Sequence, residues 1–195
     1  AQIIPWNFPF EMTSRSLSAG LTTGNACVVK TAENDPITQY WFAKAAEYAG
    51  FPDGAVNLLC GFGKEAGVAL SSHPDVNQIV FTGSVATGSA IAGEAAKNIV
   101  PCTLELGGKS AAIVYEDADL DNLMNSLRWG IFYNAGQVCS AMSRVIVPKK
   151  LHAEISERAA DLAKSLSVGP GSERKKFGNN MGSLISELQR DRALA

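Results

Sequence analysis

Short apolar runs alternate with segments of helical periodicity along most of this 195-residue chain. Each apolar run has the length of a buried strand, and each intervening segment repeats its apolar residues at helical spacing. This alternation predicts an α/β fold, with a mostly parallel sheet and helices on both faces. The predicted strands are 26–29, 56–60, 78–81, 102–106, 111–115 and 145–147, and the predicted helices are 37–48, 65–71, 85–97, 120–132 and 151–166. Such sheets bind ligands at the carboxyl ends of their strands.

Two glycines, Gly107 and Gly108, predict a hinge between two halves of the chain, 1–106 and 107–195. The stretch 169–182 is rich in Gly, Lys, Ser and Asn and predicts a loop, in which the charged run 173–176 is solvated.

Composition excludes several classes of function. The net charge of -2 gives no basic surface for nucleic acid, and no apolar run is long enough for a membrane span or a signal peptide. Four cysteines at 27, 60, 102 and 139 form no CxxC pair, so no metal site is predicted. Cys27, Cys60 and Cys102 lie in apolar runs and are predicted to be buried, which favours a reduced, cytoplasmic setting.

Cys139 differs from the other cysteines because it follows a Gly-Gln turn among small residues. Glu105 lies thirty-four positions earlier, between two leucines. A thiol and a carboxylate together suggest covalent catalysis, with the carboxylate moving protons. Two plainer readings stay open: Cys139 as a small buried side chain, and Glu105 as a strand residue that faces solvent.

Two glycine-rich turns join predicted strands to predicted helices. Gly83 and Ser84 precede the helix 85–97, whose free N–H groups suit a pyrophosphate, although Ser is also a common helix cap. The turn from Gly61 to Gly67 departs by one residue from the usual dinucleotide fingerprint.

Three segments in order resemble motifs of the aldehyde dehydrogenase superfamily: Pro5 to Pro9 (Pro-Trp-Asn-Phe-Pro), Leu104 to Lys109 (Leu-Glu-Leu-Gly-Gly-Lys) and Asn134 to Ala141 (Asn-Ala-Gly-Gln-Val-Cys-Ser-Ala). The resemblance covers nearly the whole chain. Family members are typically more than twice as long, so this chain resembles a central portion of a family member. It implies that 1–106 is part of a Rossmann-like NAD-binding domain and that 107–195 begins the catalytic domain. It also places a strand at the Trp-Asn-Phe-Pro motif.

The same resemblance assigns the catalytic roles. Cys139 is implied as the nucleophile that forms a thiohemiacetal and then a thioester, and Glu105 as the base that activates water for hydrolysis. Asn7 is implied as a donor to the oxyanion, although an Asn before Pro9 is also a common turn residue. A branch that transfers the acyl group to CoA generally lacks this Glu, so Glu105 favours release of a free acid.

The cofactor implied by the resemblance is NAD. Family members carry Lys and Glu at the positions of Lys30 and Glu33, where they bind the adenosine ribose; a carboxylate there repels the 2′-phosphate of NADP. Without the resemblance, both residues would be interpreted as solvated loop charges. Further implied cofactor contacts are Trp6, Gly63, Gly83, Ser84 and Gly107.

Arg15 and Phe8 are implied in substrate binding. Family members that oxidise succinate semialdehyde carry Arg at the position of Arg15, facing the substrate carboxylate, which suggests a carboxylated semialdehyde. Alternatively, Glu11 pairs with Arg15 at i,i+4 spacing. Ser16 replaces the family's usual Lys, which takes part in proton relay.

Two rival functions remain open at this stage. The chain could act as a non-catalytic fragment that only associates with partners through exposed sheet edges and apolar faces. It could also belong to a CoA-acylating dehydrogenase. For the full-length family member, the resemblance implies a homo-oligomer that acts on a small-molecule aldehyde.

Overall fold

The chain divides into two compact units, Ala1–Leu106 and Gly107–Ala195, in a computed structural model that describes residues 1–173 and 181–195. Half of the loop predicted for 169–182, the residues 174–180 with the charged residues 174–176, lies outside the described residues.

Five parallel strands form the sheet of the first unit, in the order β3-β2-β1-β4-β5. They are β1 Gln2–Ile3, β2 Cys27–Lys30, β3 Val56–Leu59, β4 Ile79–Gly83 and β5 Cys102–Leu106. The prediction of a parallel α/β sheet is confirmed. The prediction of a strand at the Trp-Asn-Phe-Pro motif was wrong, because the central strand β1 ends before that motif. Pro5 has no N–H to continue the ladder, so pairing ends before it.

Helices cover the sheet on both faces. Helices α1 (Pro9–Thr22) and α2 (Ile37–Tyr48) pack on one face, and α3 (Val68–Ser71) and α4 (Val85–Ala96) on the other. The first core contains Ile4, Leu17, Cys27 and Val29, and the second contains Ile3, Leu70, Ile79, Phe81, Ile91 and Ala95. The helix predicted at 65–71 is instead one π-helical turn, Gly63–Gly67, followed by the short α3.

The second unit contains a two-stranded parallel sheet, β6 (Ala111–Ile113) with β7 (Arg144–Ile146). Helix α5 (Leu120–Gly130) packs against α6 (His152–Ser165), and α7 (Glu187–Leu194) follows near the end. Asp119 caps α5 by accepting hydrogen bonds from the N–H groups of Asp121 and Asn122. Helix α7 was not predicted, because it buries no side chain and so carries no apolar stripe.

The cysteines correct one prediction. Cys27 is buried as expected and Cys102 is partly buried, but Cys60 is exposed. Cys60 directly follows β3, which is an edge strand, so its apolar neighbours do not guarantee a covered position. Cys139 is also exposed, which excludes the interpretation of this residue as a small buried side chain.

Among the described residues, no helix is both long and apolar enough to cross a membrane, and no cluster of three metal-binding side chains occurs.

Candidate active site

The carboxyl ends of the parallel strands gather most of the candidate residues of the first unit at one edge of the sheet. Asn7 follows β1, Glu33 follows β2, Ser84 follows β4, and Glu105 lies next to the last residue of β5. The strand order reverses between β1 and β4, which makes this edge a topological switch point, where open α/β sheets bind ligands.

Lys30 and Glu33 form a small charged cluster at the end of β2. Lys30 is only 2% exposed, and its ammonium donates to the Thr31 carbonyl at 2.7 Å and to the Glu33 carboxylate at 3.3 Å. This burial excludes the interpretation of Lys30 as a solvated loop charge.

The carboxylate of Glu33 is held in its charged form. Its own main-chain N–H, the positive charge of Lys30 and the N–H of Gly63 lower the pKa of Glu33, against the opposite effect of partial burial. Glu33 and Gly63, two of the predicted cofactor residues, are therefore adjacent. A Cβ on Gly63 would meet nothing within 4 Å, so the space beside this glycine is open.

Gly83 and Ser84 have structural explanations of their own. A Cβ on Gly83 would lie 2.5 Å from the Phe81 ring, so the core requires glycine there. The Ser84 hydroxyl accepts from the Thr87 N–H at 3.2 Å and caps α4, which is the alternative role that its position before the helix allowed. The capped helix still has twelve residues, and its N-terminus carries the positive end of the helix dipole.

Arg15 and Glu105 form an ion pair. Nη2 of Arg15 donates to Oε1 of Glu105 at 2.9 Å, and the two side chains are 60% and 48% exposed. Arg15 therefore pairs across to β5, and not with Glu11 on its own helix as the i,i+4 spacing allowed. Both residues line a cavity of about 360 Å³ within the first unit.

Cys139 lies just beyond a strained turn in the second unit. Three consecutive residues have left-handed backbones: Asn134 (φ 50°), Ala135 (φ 56°) and Gly136 (φ 77°). Gly136 suits this conformation, whereas Ala135 adopts it at a steric cost. Strain of this kind persists only where the surroundings hold it, and it concentrates at functional sites.

Gln137 fastens this turn at two points. Its Nε2 donates to the Asn134 carbonyl at 3.0 Å, and its Oε1 accepts from the Ile185 N–H at 2.9 Å. The Cys139 backbone also lies close to the Gly-Gly turn, because a Cβ on Gly108 would be 3.7 Å from the Cys139 carbonyl oxygen. Gln137 thus sets the position of the thiol-bearing segment relative to residue 185.

The remaining candidates lie at the surface or near it. Trp6, Asn7 and Phe8 are half-buried in the link between β1 and α1, and the Phe8 carbonyl accepts from the Met12 N–H at 2.9 Å. Gly107 is exposed, and a Cβ added to it would meet nothing within 4 Å. Asn7 and Glu105 belong to the first unit and Cys139 belongs to the second.

Sequence reasoning missed two contacts that shape the site. It marked the Gly-Gln turn but not its partner at Ile185, forty-eight residues away. It also gave no signal for the pairing of Arg15 with Glu105 across ninety residues. Only the register of β5 against its neighbours and the placement of α1 bring that second pair together.

Comparison with known proteins identifies relatives over the full chain. The aldehyde dehydrogenase family matches residues 1–195. An aldehyde dehydrogenase of Emericella nidulans is 43% identical over 194 residues, and a mitochondrial aldehyde dehydrogenase of Leishmania tarentolae is 44% identical. Each alignment covers 99% of this chain but only 38% of the relative, so the chain spans about two fifths of the relatives' length.

Solved structures give the same result. The NAD⁺ complex of aldehyde dehydrogenase from Bacillus cereus is 44% identical with a TM-score of 0.94, over 99% of this chain and 39% of that one. Betaine aldehyde dehydrogenase from Staphylococcus aureus, also in complex with NAD⁺, is 36% identical with a TM-score of 0.94, over 98% of this chain and 37% of that one.

Proposed function

This chain belongs to the aldehyde dehydrogenase family, and from that premise we propose that it carries the nucleophile, base and cofactor residues of an NAD-dependent oxidation of an aldehyde to a carboxylic acid. The observation that carries the proposal is the exposed thiol residue Cys139 beside a left-handed turn that Gln137 holds in place. An exposed cysteine on a fixed backbone is available to a substrate, whereas most structural cysteines are buried.

The residues of the first unit fit a dinucleotide, which supports its role as the NAD-binding domain. The charged carboxylate of Glu33 suits the two ribose hydroxyls, and the N-terminus of α4 suits a pyrophosphate. The open space beside Gly63 lets a ligand approach the main chain. When bound, NAD supplies the hydride acceptor. Glu33 would repel the additional phosphate of NADP, which favours NAD.

Cys139 performs the covalent chemistry in this proposal. Its thiolate sulfur bonds to the aldehyde carbon, and the carbonyl oxygen becomes an oxyanion. The side-chain amide of Asn7 and the main-chain N–H of Cys139 donate to that oxyanion; losing one such donor typically costs about 2.7–4 kcal/mol of barrier. Loss of hydride from the same carbon leaves a thioester on Cys139.

Glu105 completes the reaction as a general base. Its carboxylate takes a proton from water, the water oxygen bonds to the thioester carbon, and the carbon–sulfur bond breaks to release a carboxylic acid and the thiolate. The presence of Glu105 favours water over CoA as acyl acceptor, so the CoA-acylating reaction is the weaker alternative.

A stopped-flow measurement of NADH formation tests the proposal. The chain is mixed with NAD and an aldehyde, and Cys139→Ala is compared with Cys60→Ala, which removes the other exposed cysteine. We expect a burst of NADH in the unchanged chain and in Cys60→Ala, and a loss of about a thousandfold or more in Cys139→Ala. A burst that survives in Cys139→Ala would contradict the assignment of Cys139 as the nucleophile. The absence of NADH from every chain would contradict the activity proposed for this chain.

Arg15 supports a carboxylated semialdehyde as the substrate. The Arg15 side chain is 60% exposed, and Arg15 lines the same cavity as Glu105, so it is accessible to a substrate carboxylate. We expect Arg15→Ala to raise the KM for succinate semialdehyde at least about tenfold more than the KM for propanal, because a charge-assisted contact contributes about 1.5–3 kcal/mol. Equal changes in the two KM values would exclude this substrate class.

Association without catalysis is a second candidate, favoured by the aromatic side chains that α2 exposes. Tyr40, Trp41 and Tyr48 are 55%, 65% and 96% exposed. Sedimentation velocity separates the two candidates: concentration-dependent oligomers in a chain that gives no NADH burst favour association alone. Oligomers together with a burst favour a homo-oligomeric enzyme.

A further inference from the structure

The ion pair between Arg15 and Glu105 joins two residues that the proposed function uses separately. Arg15 is to hold the carboxylate of the substrate, and Glu105 is to activate water. In the structure these groups hold each other, with Nη2 of Arg15 2.9 Å from Oε1 of Glu105. The contact therefore engages one oxygen of the Glu105 carboxylate and one nitrogen of the Arg15 guanidinium, and each group is fully available for its task only when the contact breaks.

The contact is of a kind that exchanges easily. Both side chains are about half exposed, so water and salt compete with the pair and its net stabilisation is small. Within the described residues, the guanidinium makes its contact with Glu105 through Nη2. A free carboxylate can instead take two parallel N–H donors of the fork, which is the stronger geometry.

The surroundings of the pair can receive such a carboxylate. The cavity beside it, about 360 Å³, lies in the range of small-molecule sites, roughly 300–1,000 Å³. Three residues that carry hydroxyl groups, Ser16, Thr82 and Thr103, are among those that line it. Hydroxyl groups both donate and accept hydrogen bonds, so a short carboxylic acid can enter and still find hydrogen-bond partners for its polar atoms.

We propose that Arg15 is a positioning residue that restrains Glu105 while no substrate is bound. The carboxylate of a bound semialdehyde replaces Glu105 as the partner of Arg15, and Glu105 is then released to act on water. This inference rests on the proposed function, and it adds a coupling between substrate class and base. An aldehyde without a carboxylate leaves the pair intact, so its acyl-enzyme is hydrolysed by a restrained base.

Nuclear magnetic resonance of the side-chain carboxyl carbons tests the exchange without relying on turnover. The Glu105 signal is assigned by its disappearance in Glu105→Gln. Its chemical shift without the ion pair is measured in Arg15→Gln. The 195-residue chain is then titrated at constant pH and ionic strength with succinate, or with succinamide, which has the same shape and no charge. We expect succinate to move the Glu105 signal saturably toward its position in Arg15→Gln, and succinamide to leave it in place.

A matched variant identifies the residue responsible. Arg158→Gln removes another half-exposed Arg that pairs with carboxylates, those of Asp121 and Glu154, in the second unit. The succinate response should persist in Arg158→Gln and vanish in Arg15→Gln. A Glu105 signal that succinate leaves unmoved, or moves equally in Arg15→Gln, would overturn the proposal.

Kinetics provides a second readout. With propanal, hydrolysis of the acyl-enzyme should be up to about fivefold faster in Arg15→Gln than in the unchanged chain, since loss of an exposed pair frees the base. A slower hydrolysis in Arg15→Gln would count against the restraint. If succinate moves Glu105 but no aldehyde is oxidised, the proposed function fails and the exchange stands. If semialdehyde is oxidised while Glu105 does not move, the exchange alone fails.

Discussion

At the scale of single residues, Glu33 shows how a carboxylate on a loop stays charged. Hydrogen bonds from its own N–H and from Gly63, together with the Lys30 ammonium, lower the pKa of Glu33 below its ordinary value of 4.5. A lowered pKa means that folding favours the charged form, so this stabilisation is present above pH 4.5 and is lost as the pH falls through the folded value. Because the side chain is 48% exposed, the effect is small.

We therefore expect Glu33→Gln to lower the free energy of unfolding by under about 1 kcal/mol at pH 7 and to match the unchanged chain in strong acid. Urea unfolding between pH 2 and pH 7 measures the difference. At about 1 M salt the share due to Lys30 is screened, while the share due to the main-chain N–H groups persists. A difference that stays constant from pH 2 to pH 7 would contradict the stated cause.

Candidate site residues could be named from the sequence, but the contacts that these residues make could not be predicted. The resemblance pointed to Cys139, Glu105 and Arg15 because their local motifs are short and distinctive. The contact of Arg15 with Glu105 depends on where α1 lies over the sheet, whereas the i,i+4 spacing along the helix offered only Glu11 as a partner. Local spacing describes neighbours on one element, whereas this pair forms between two.

At the scale of elements, helix α4 contains two glycines in opposite surroundings. Gly88 is buried, and a Cβ there would lie 2.6 Å from Cδ2 of Leu106. Gly93 is exposed, and a Cβ there would meet nothing within 4 Å. The first glycine lets the helix approach β5, while the second only adds flexibility to the unfolded chain.

The two substitutions to alanine should therefore have opposite signs. We expect Gly93→Ala to stabilise the chain by about 0.5–1 kcal/mol, from helix propensity and reduced unfolded-state entropy. Gly88→Ala should destabilise it by about 1–3 kcal/mol, because the methyl group must displace a packed side chain. Thermal and urea unfolding of both variants measure the effects, and a gain in stability for Gly88→Ala would refute the packing argument.

Element prediction succeeded where periodicity and a clear boundary agreed. Helix 37–48 was predicted with its observed bounds, since alanine-rich helical spacing ends there before Gly50 and Pro52. The helix predicted at 65–71 is confirmed only in part, because Val68–Ser71 is α-helical and the residues before it belong to the π-helical turn Gly63–Gly67. Strand β1 is only two residues long, too short for any alternation to show, although it is the centre of the sheet.

At the scale of the whole molecule, the two units differ in how much core they contain. The first has a five-stranded sheet with a core on each face, including Ile79 and Val29 at 0% exposure. The described part of the second has two paired strands, and its buried apolar residues are Val114, Leu127, Ala141 and Ile155. Two strands alone are marginal in water, so the second unit depends on the packing of α5 against α6.

This difference predicts unequal protection from hydrogen exchange. Amides of β4, which contributes Ile79 and Phe81 to the second core of the first unit, should exchange through the largest opening free energy, and amides of β6 and β7 through a smaller one. Mass spectrometry of peptides that cover Ile79–Gly83 and Arg144–Ile146 measures both. Ile79→Ala should cost about 2–5 kcal/mol and speed exchange in β4, whereas Ile113→Ala, at a 65% exposed position, should cost far less. Equal protection of β4 and β7 would contradict this prediction. Weaker protection of β7 would mean that Cys139 lies on the unit that opens more readily. Segments that bind and release ligands usually belong to such less stable parts of a protein.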